Sequence, residues 1–179
     1  MAKIGLKKFY YAPLTKDDET GVTYGTPKRI MGINSIDINP TVQKATAYGD
    51  DVPMATASSI SEIVLRISTV DLPLEDKAAL LGHKMVDGVM ESSTDAEPPY
   101  VAVMCESKTH DGKIQYEKFL KGKFSETQET INTKGENIEY QLPEIEGSFV
   151  AREYDGKWRK TTVTTDTTVA TSWYASVEA

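Results

Sequence analysis

Hydrophobic and polar positions alternate most cleanly over residues 60–70, ISEIVLRISTV. Ile63, Leu65 and Ile67 fall on one face and Glu62, Arg66 and Ser68 on the other, the period-two signature of a half-buried strand. Residues 5–12, with clustered aromatics and Pro13 closing the run, predict a second strand. Residues 30–38 predict a third, with Ile36 and Ile38 on one face and Pro40 ending it. Residues 100–106, YVAVMCE, are apolar on both faces, as in a strand at the centre of a sheet. Residues 113–124 predict a further strand, and residues 136–150 its antiparallel partner. On that partner Ile138, Tyr140 and Leu142 are expected to face the core, and Asn137, Glu139 and Gln141 the opposite side.

Helical spacing emerges clearly in one place, 73–81. Leu74, Ala78 and Leu81 share a face, Pro73 sits in the first turn, Glu75 and Asp76 complement the helix dipole, and Gly82 stops the helix. Asp71 is the expected N-cap.

Two segments lack a period. Residues 39–59 are small and polar and read as a long loop, either a surface loop or an arm that docks on another subunit; Tyr48, Asp50, Asp51 and Met54 are its candidate contact residues. The Thr/Val-rich tail favours extended chain. It reads as an edge strand, an arm that pairs with a neighbouring subunit, or a frayed terminus, with Trp158, Trp173 and Tyr174 as its anchors. The expected organisation is a mainly β domain over 1–156, a β-sandwich or small barrel flanked by one short helix, and an extended C-terminal arm over 157–179.

Charge narrows the function classes. Net charge is −7, split as +3 over residues 1–36, −10 over 37–149 and zero over 150–179. An acidic body disfavours gripping nucleic acid through its phosphates, which takes clustered Lys and Arg. One cysteine, Cys105, permits no internal disulfide, in keeping with a reducing compartment. The opening MAKIGLKKFYYAPL has no apolar run of the secretory type. No segment approaches the ~20 apolar residues that span a bilayer. Folding in the cytoplasm, without a membrane role, is expected.

Candidate chemistry is sparse. Tyr48-Gly49-Asp50-Asp51 matches a metal-binding motif of RNA polymerases, but that motif needs apolar strands on both sides, and here it reads better as a polar tip. Cys105 and His110 could form a thiol–base pair. Against this, Cys105 lies in an apolar strand and His110 in a His-Asp-Gly turn. His83 follows the helix end, where positive charge is favourable. No cofactor, metal site or enzyme activity is expected.

Taken together, KGKFSETQETINTKGENIEYQLPEIEG at 121–147, the opening MAKIGLKKFYYAPLTKDDETGVTYGTPKRI, Ala47-Tyr48-Gly49-Asp50-Asp51 and Leu80-Leu81-Gly82-His83 resemble the major tail proteins, or tail tube proteins, of long-tailed, non-contractile bacteriophages. The resemblance implies a virion subunit assembled in the host bacterial cytoplasm. It would form hexameric rings that stack into a hollow tube through which DNA passes without specific contact. Implied partners are further copies of the chain, a tape-measure protein, a tail terminator and baseplate or tail-tip proteins. Glu139, Glu144 and Glu146 then become candidate lumen-facing residues, repelling phosphates. Other readings are a different virion β-protein (a tail terminator or capsid decoration protein), a ligand-binding β-sandwich and, last, a small hydrolase.

Overall fold

A computed structural model describes residues 2–133, 140–166 and 168–178. Its strands are β1 (Lys3–Asp18), β2 (Gly21–Tyr24), β3 (Lys28–Ile30), β4 (Ile33–Gly49), β5 (Val52–Thr69), β6 (Lys84–Val86), β7 (Val89–Glu91), β8 (Val101–Thr109), β9 (Ile114–Ser125), β10 (Glu144–Phe149) and β11 (Arg159–Thr164); the helices are α1 (Leu74–Leu81) and α2 (Thr168–Ala175). The chain is mainly β, as its alternating pattern predicts.

Nine strands form one antiparallel sheet in the order β2-β1-β8-β9-β10-β5-β4, with β3 alongside β1 and β11 alongside β9; β6 and β7 make a separate small hairpin. The end strands β2 and β4 do not pair with each other, so the sheet folds over without closing into a barrel. The change of direction occurs in β9. Its residues 114–119 pair with β11, while 122–125 pair with β10. Gly122 marks the switch, because the Phe149 ring occupies the space a Cβ would need, 2.4 Å from its ideal position. The two halves enclose one core. Phe9, Leu65, Ile67, Val103, Phe119, Phe124 and Phe149 are buried there, and α1 adds Leu80 and Leu81.

Strand β8 is buried along nearly its whole length, as expected of a central strand. Its inner face meets the core, and its outer face is roofed by the C-terminal segment. Ala12, Ala102, Met104 and Leu120 form a second buried cluster with Val177, flanked by Tyr10, Tyr24 and Tyr174.

Several expectations need correction. Residues 39–59 are not a loop: they are the outer part of a long β4–β5 hairpin, paired from Ile33↔Thr69 to Gly49↔Val52. Nor does Pro40 end its strand. It pairs with Ile63 on β4, the terminal strand of the sheet, where a missing N–H is tolerated. Pro13 likewise lies inside β1. The C-terminal segment is not extended throughout; β11 is, but α2 then folds back onto the sheet. Only 144–149 of the expected strand 136–150 is strand, and Tyr140 is exposed rather than in the core. Ile138 and Glu139 lie outside the described residues. Helix α1 begins after Pro73, with no side-chain cap from Asp71. It buries Asp76 and Leu80 beside Ala78 and Leu81, while Leu74 is 45% exposed.

Candidate assembly surfaces

The β4–β5 hairpin leaves the body at about Pro40 and Glu62. Every residue from 39 to 62 whose burial is described is exposed. At about 3.3 Å per residue, the eight positions from Val42 to Gly49 carry it about 25 Å outward. At the tip, Asp50 and Asp51 both adopt positive φ (51° and 58°), the pair of left-handed residues that a tight two-residue hairpin turn requires. The YGDD sequence is therefore a turn.

Ladder partners point to the same side of a sheet. Val42 and Ile60 thus continue the face on which Ile36, Ile38, Ile63 and Leu65 line the core. Past the body this face is uncovered. Val42 and Ile60 are 46% and 47% exposed, Tyr48 and Met54 each 72%. The other face carries the pairs Ala45↔Ala57 and Ala47↔Ala55, a flat, small-residue surface that another backbone can approach closely. A two-stranded ribbon with both faces wet is marginally stable by itself.

A second surface is the outer face of β10, β5 and β4. In β10, Ile145, Gly147 and Phe149 are buried, while Glu144, Glu146 and Ser148 point outward. One cross-strand row reads Asp37, Arg66, Glu146, Ser125. Arg66 donates to Glu146 at 2.7 Å, and Ser148 donates to Glu62 at 2.6 Å. The Glu144 carboxylate stands at the exposed edge of this face. Among the described residues nothing covers this acidic face, in contrast to the roofed outer face of β1, β8 and β9.

The C-terminal segment is held by named contacts. Tyr174 stacks on Tyr10 with ring centroids 4.5 Å apart. Lys118, fully buried, lies over the Trp173 ring and donates to the carbonyls of Ser176 and Val177 at 2.9 and 3.0 Å. Glu178 is paired with Arg152 and Lys160. Trp158 packs at the edge of the main core, with the Arg159 guanidinium over its ring. The three aromatics flagged in the sequence thus dock on this chain's own sheet. Sequence reasoning missed the groove that receives Trp173 and Tyr174, since its residues come from β1, β8 and β9.

Among the described residues no His, Cys, Asp and Glu group has metal-binding geometry. Cys105 is buried, and burial pushes its thiol up to about 12, far from thiolate chemistry at neutral pH. His83 meets Glu126 at 2.9 Å, and His110 sits in the turn closed by the Gly112 amide on the Thr109 carbonyl. Among the described residues no helix is long and apolar enough to cross a membrane.

A folded-over antiparallel sheet with a projecting two-faced ribbon and a bare acidic face defines a structural β-protein built around its surfaces. The family model for phage tail tube proteins matches residues 1–141, and the chain belongs to that family. No curated protein matches it. Family membership makes it a structural component of the virion tail that associates with itself and with other tail proteins.

Proposed function

We propose that this chain is the repeating subunit of the tail tube of a long-tailed, non-contractile phage. It forms hexameric rings that stack around a DNA-conducting lumen, assembled in the host bacterial cytoplasm. The observation that carries this reading is the β4–β5 hairpin: about 25 Å of paired backbone, exposed on both faces, with apolar groups at its root (Val42, Ile60) and tip (Tyr48, Met54) and Lys44, Ser58, Thr46 and Thr56 between them on the same face. Covering such a ribbon in an assembly offsets its ordering entropy. Tyr48, Asp50, Asp51 and Met54, chosen from sequence as intersubunit contacts, all lie at its tip.

Of the two outer faces, the one formed by β10, β5 and β4 suits the lumen. It is uncovered, and Asp37, Glu62, Glu144 and Glu146 outnumber Arg66 and Lys123 on its ladder rows. An acidic wall keeps a polyanion from adhering and lets it slide. The outer face of β1, β8 and β9 carries α2, which suits the outside of the tube. Tape-measure, terminator and tail-tip proteins are the other expected partners, and DNA is a passenger without specific contacts. No cofactor is required.

Negative-stain electron microscopy of the purified chain tests the reading. Hollow tubes of uniform diameter are expected, alone or seeded by tail-tip proteins. A chain that stays monomeric at high concentration with those proteins present overturns it. Glu144→Lys, at an exposed carboxylate, should leave tubes intact and reduce DNA delivery; unchanged infectivity would remove the lumen assignment alone.

A further inference from the structure

A cleft of about 240 Å³ opens between the start of β1 and the base of β4, above β8 and β9. Leu6, Ile36 and Ile38 give it apolar walls. Its floor is polar. Ser107 is 5% exposed, and its Oγ finds no hydrogen-bond partner among the described residues. Glu117, 3% exposed, lies 2.8 Å from Lys3 and 3.7 Å from Arg159. Lys3, which lines the cleft, and Arg159, which stands beside Glu117 outside that lining, put two cations around one carboxylate. A buried hydroxyl without a protein partner is free to take a hydrogen bond from a group that enters the cleft.

The hairpin tip has the complementary chemistry. Tyr48 combines an apolar ring with a hydroxyl and is 72% exposed. Asp50 and Asp51 follow it at the turn. We propose that the cleft receives the hairpin tip of a second copy of this chain. Tyr48 enters between Leu6 and the Ile36–Ile38 wall, its hydroxyl completes the hydrogen bonding of Ser107, and Asp50 and Asp51 lie against Lys3 and Arg159. This rests on the tube-subunit reading and gives its hairpin a receptor. The cleft wall, residues 34–38, is the base of the same hairpin whose tip projects. The contact is therefore tip to base. Every copy donates one tip and offers one cleft, a heterologous interface that generates rings or stacks.

Cross-linking tests it. Two variants, Tyr48→Cys and Asn34→Cys, each in a Cys105→Ala background, are mixed, assembled and oxidised. A disulfide between the two kinds of chain is expected in mixed tubes, and not in either variant alone. Asn34→Trp, at the exposed rim, should slow polymerisation by about tenfold or more, a loss of about 1.4 kcal/mol of contact energy, with an unchanged monomer circular-dichroism spectrum. Leu6→Trp should do the same from inside the cleft. Tubes that form without the inter-chain disulfide, or Asn34→Trp polymerising at the wild-type rate, overturn the proposal while leaving the tube reading standing. Failure of the unsubstituted chain to polymerise would remove both.

Discussion

The Lys121 ammonium meets the Asp17 carboxylate at 2.7 Å, with the two side chains only 8% and 4% exposed. The pair ties the bend of β9 to the end of β1. Asp17 also accepts from the amides of Glu153 and Tyr154 at 3.0 and 3.1 Å, so one carboxylate fastens three segments. Burial pushes the Asp17 carboxyl up, but the hydrogen bonds from Lys121 and the two amides outweigh it and leave its pKa below the ordinary value.

Asp17→Asn removes the charged partner and leaves Lys121 with the exposed Glu153, 3.3 Å away, and the Tyr100 ring, 5.0 Å from its nitrogen. Removing one partner of a buried pair is destabilising by roughly 3 kcal/mol, so Tm should fall by roughly 10 °C. The sign with pH follows from the depressed carboxyl. Its stabilisation is complete above the unfolded value of about 3.9 and disappears as pH falls through the lower folded value. Urea midpoints of the parent should therefore converge on those of Asp17→Asn in acid. A constant gap down to the lowest pH would exclude this role for Asp17.

Lys118 titrates in the opposite sense. Burial draws its pKa down to about 8, with Lys160 adding to the effect and Glu178 opposing it. Between pH 8 and the unfolded value of about 10.4 the unfolded chain binds more protons, so stability rises with pH. Above about pH 10 the buried tyrosines reverse this. Burial pushes Tyr24 up to about 12 and raises Tyr11 and Tyr174 further, whereas unfolded tyrosines ionise near 10. A maximum in urea midpoint between pH 9 and 10 is expected. Lys118→Met should flatten the rise and speed hydrogen exchange over 168–178 while the main sheet keeps its protection. Unchanged exchange there would show that the lysine does not hold the segment.

Gly122→Ala probes the bend in β9. The Phe149 ring lies 2.4–2.5 Å from the required Cβ position and is itself fixed edge-on by Phe119 and Phe124. Displacing it should lower stability by about 1–3 kcal/mol, read as a lower urea midpoint at unchanged m-value. A midpoint within error of the parent would mean that the ring relaxes freely.

The legible parts of the fold were those where local pattern and tertiary need agree. Ile63, Leu65 and Ile67 alternate and are buried; Gly82 ends α1 in the left-handed conformation at φ 74°. The hairpin was illegible because its outer half buries neither face, which leaves no alternation to read, and because Pro40 and Pro53 are strand breakers everywhere except on unpaired edges. Asp76 looked like a dipole-complementing surface residue. It is instead buried by Tyr11 at 2.8 Å and Lys28 at 2.6 Å, partners from β1 and β3 that no local pattern could supply. Of the acidic candidates, Glu144 and Glu146 do lie on the face opposite the core, although the odd-numbered residues of β10, not the even-numbered ones expected upstream, face inward. The Trp173 and Tyr174 groove was hidden for the same reason as Asp76: it is assembled from distant strands.

Replacing residues 43–59 with Asn-Gly separates assembly from folding. Val42 and Ile60 are ladder partners, and a two-residue Asn-Gly turn joins such a pair without distortion. Every excised residue whose burial is described is exposed, so no core contact is lost. Cutting seventeen connecting residues to two lowers the closure cost by about 2 kcal/mol at most, so Tm should hold or rise by a few degrees rather than fall. Tube formation should be abolished, because the projecting tip with Tyr48 and Met54 is gone while the body is intact. A folded variant that still builds tubes of normal diameter would show that the hairpin is not the joint. A large drop in Tm would show instead that the ribbon stabilises its own subunit, contrary to its exposure on both faces.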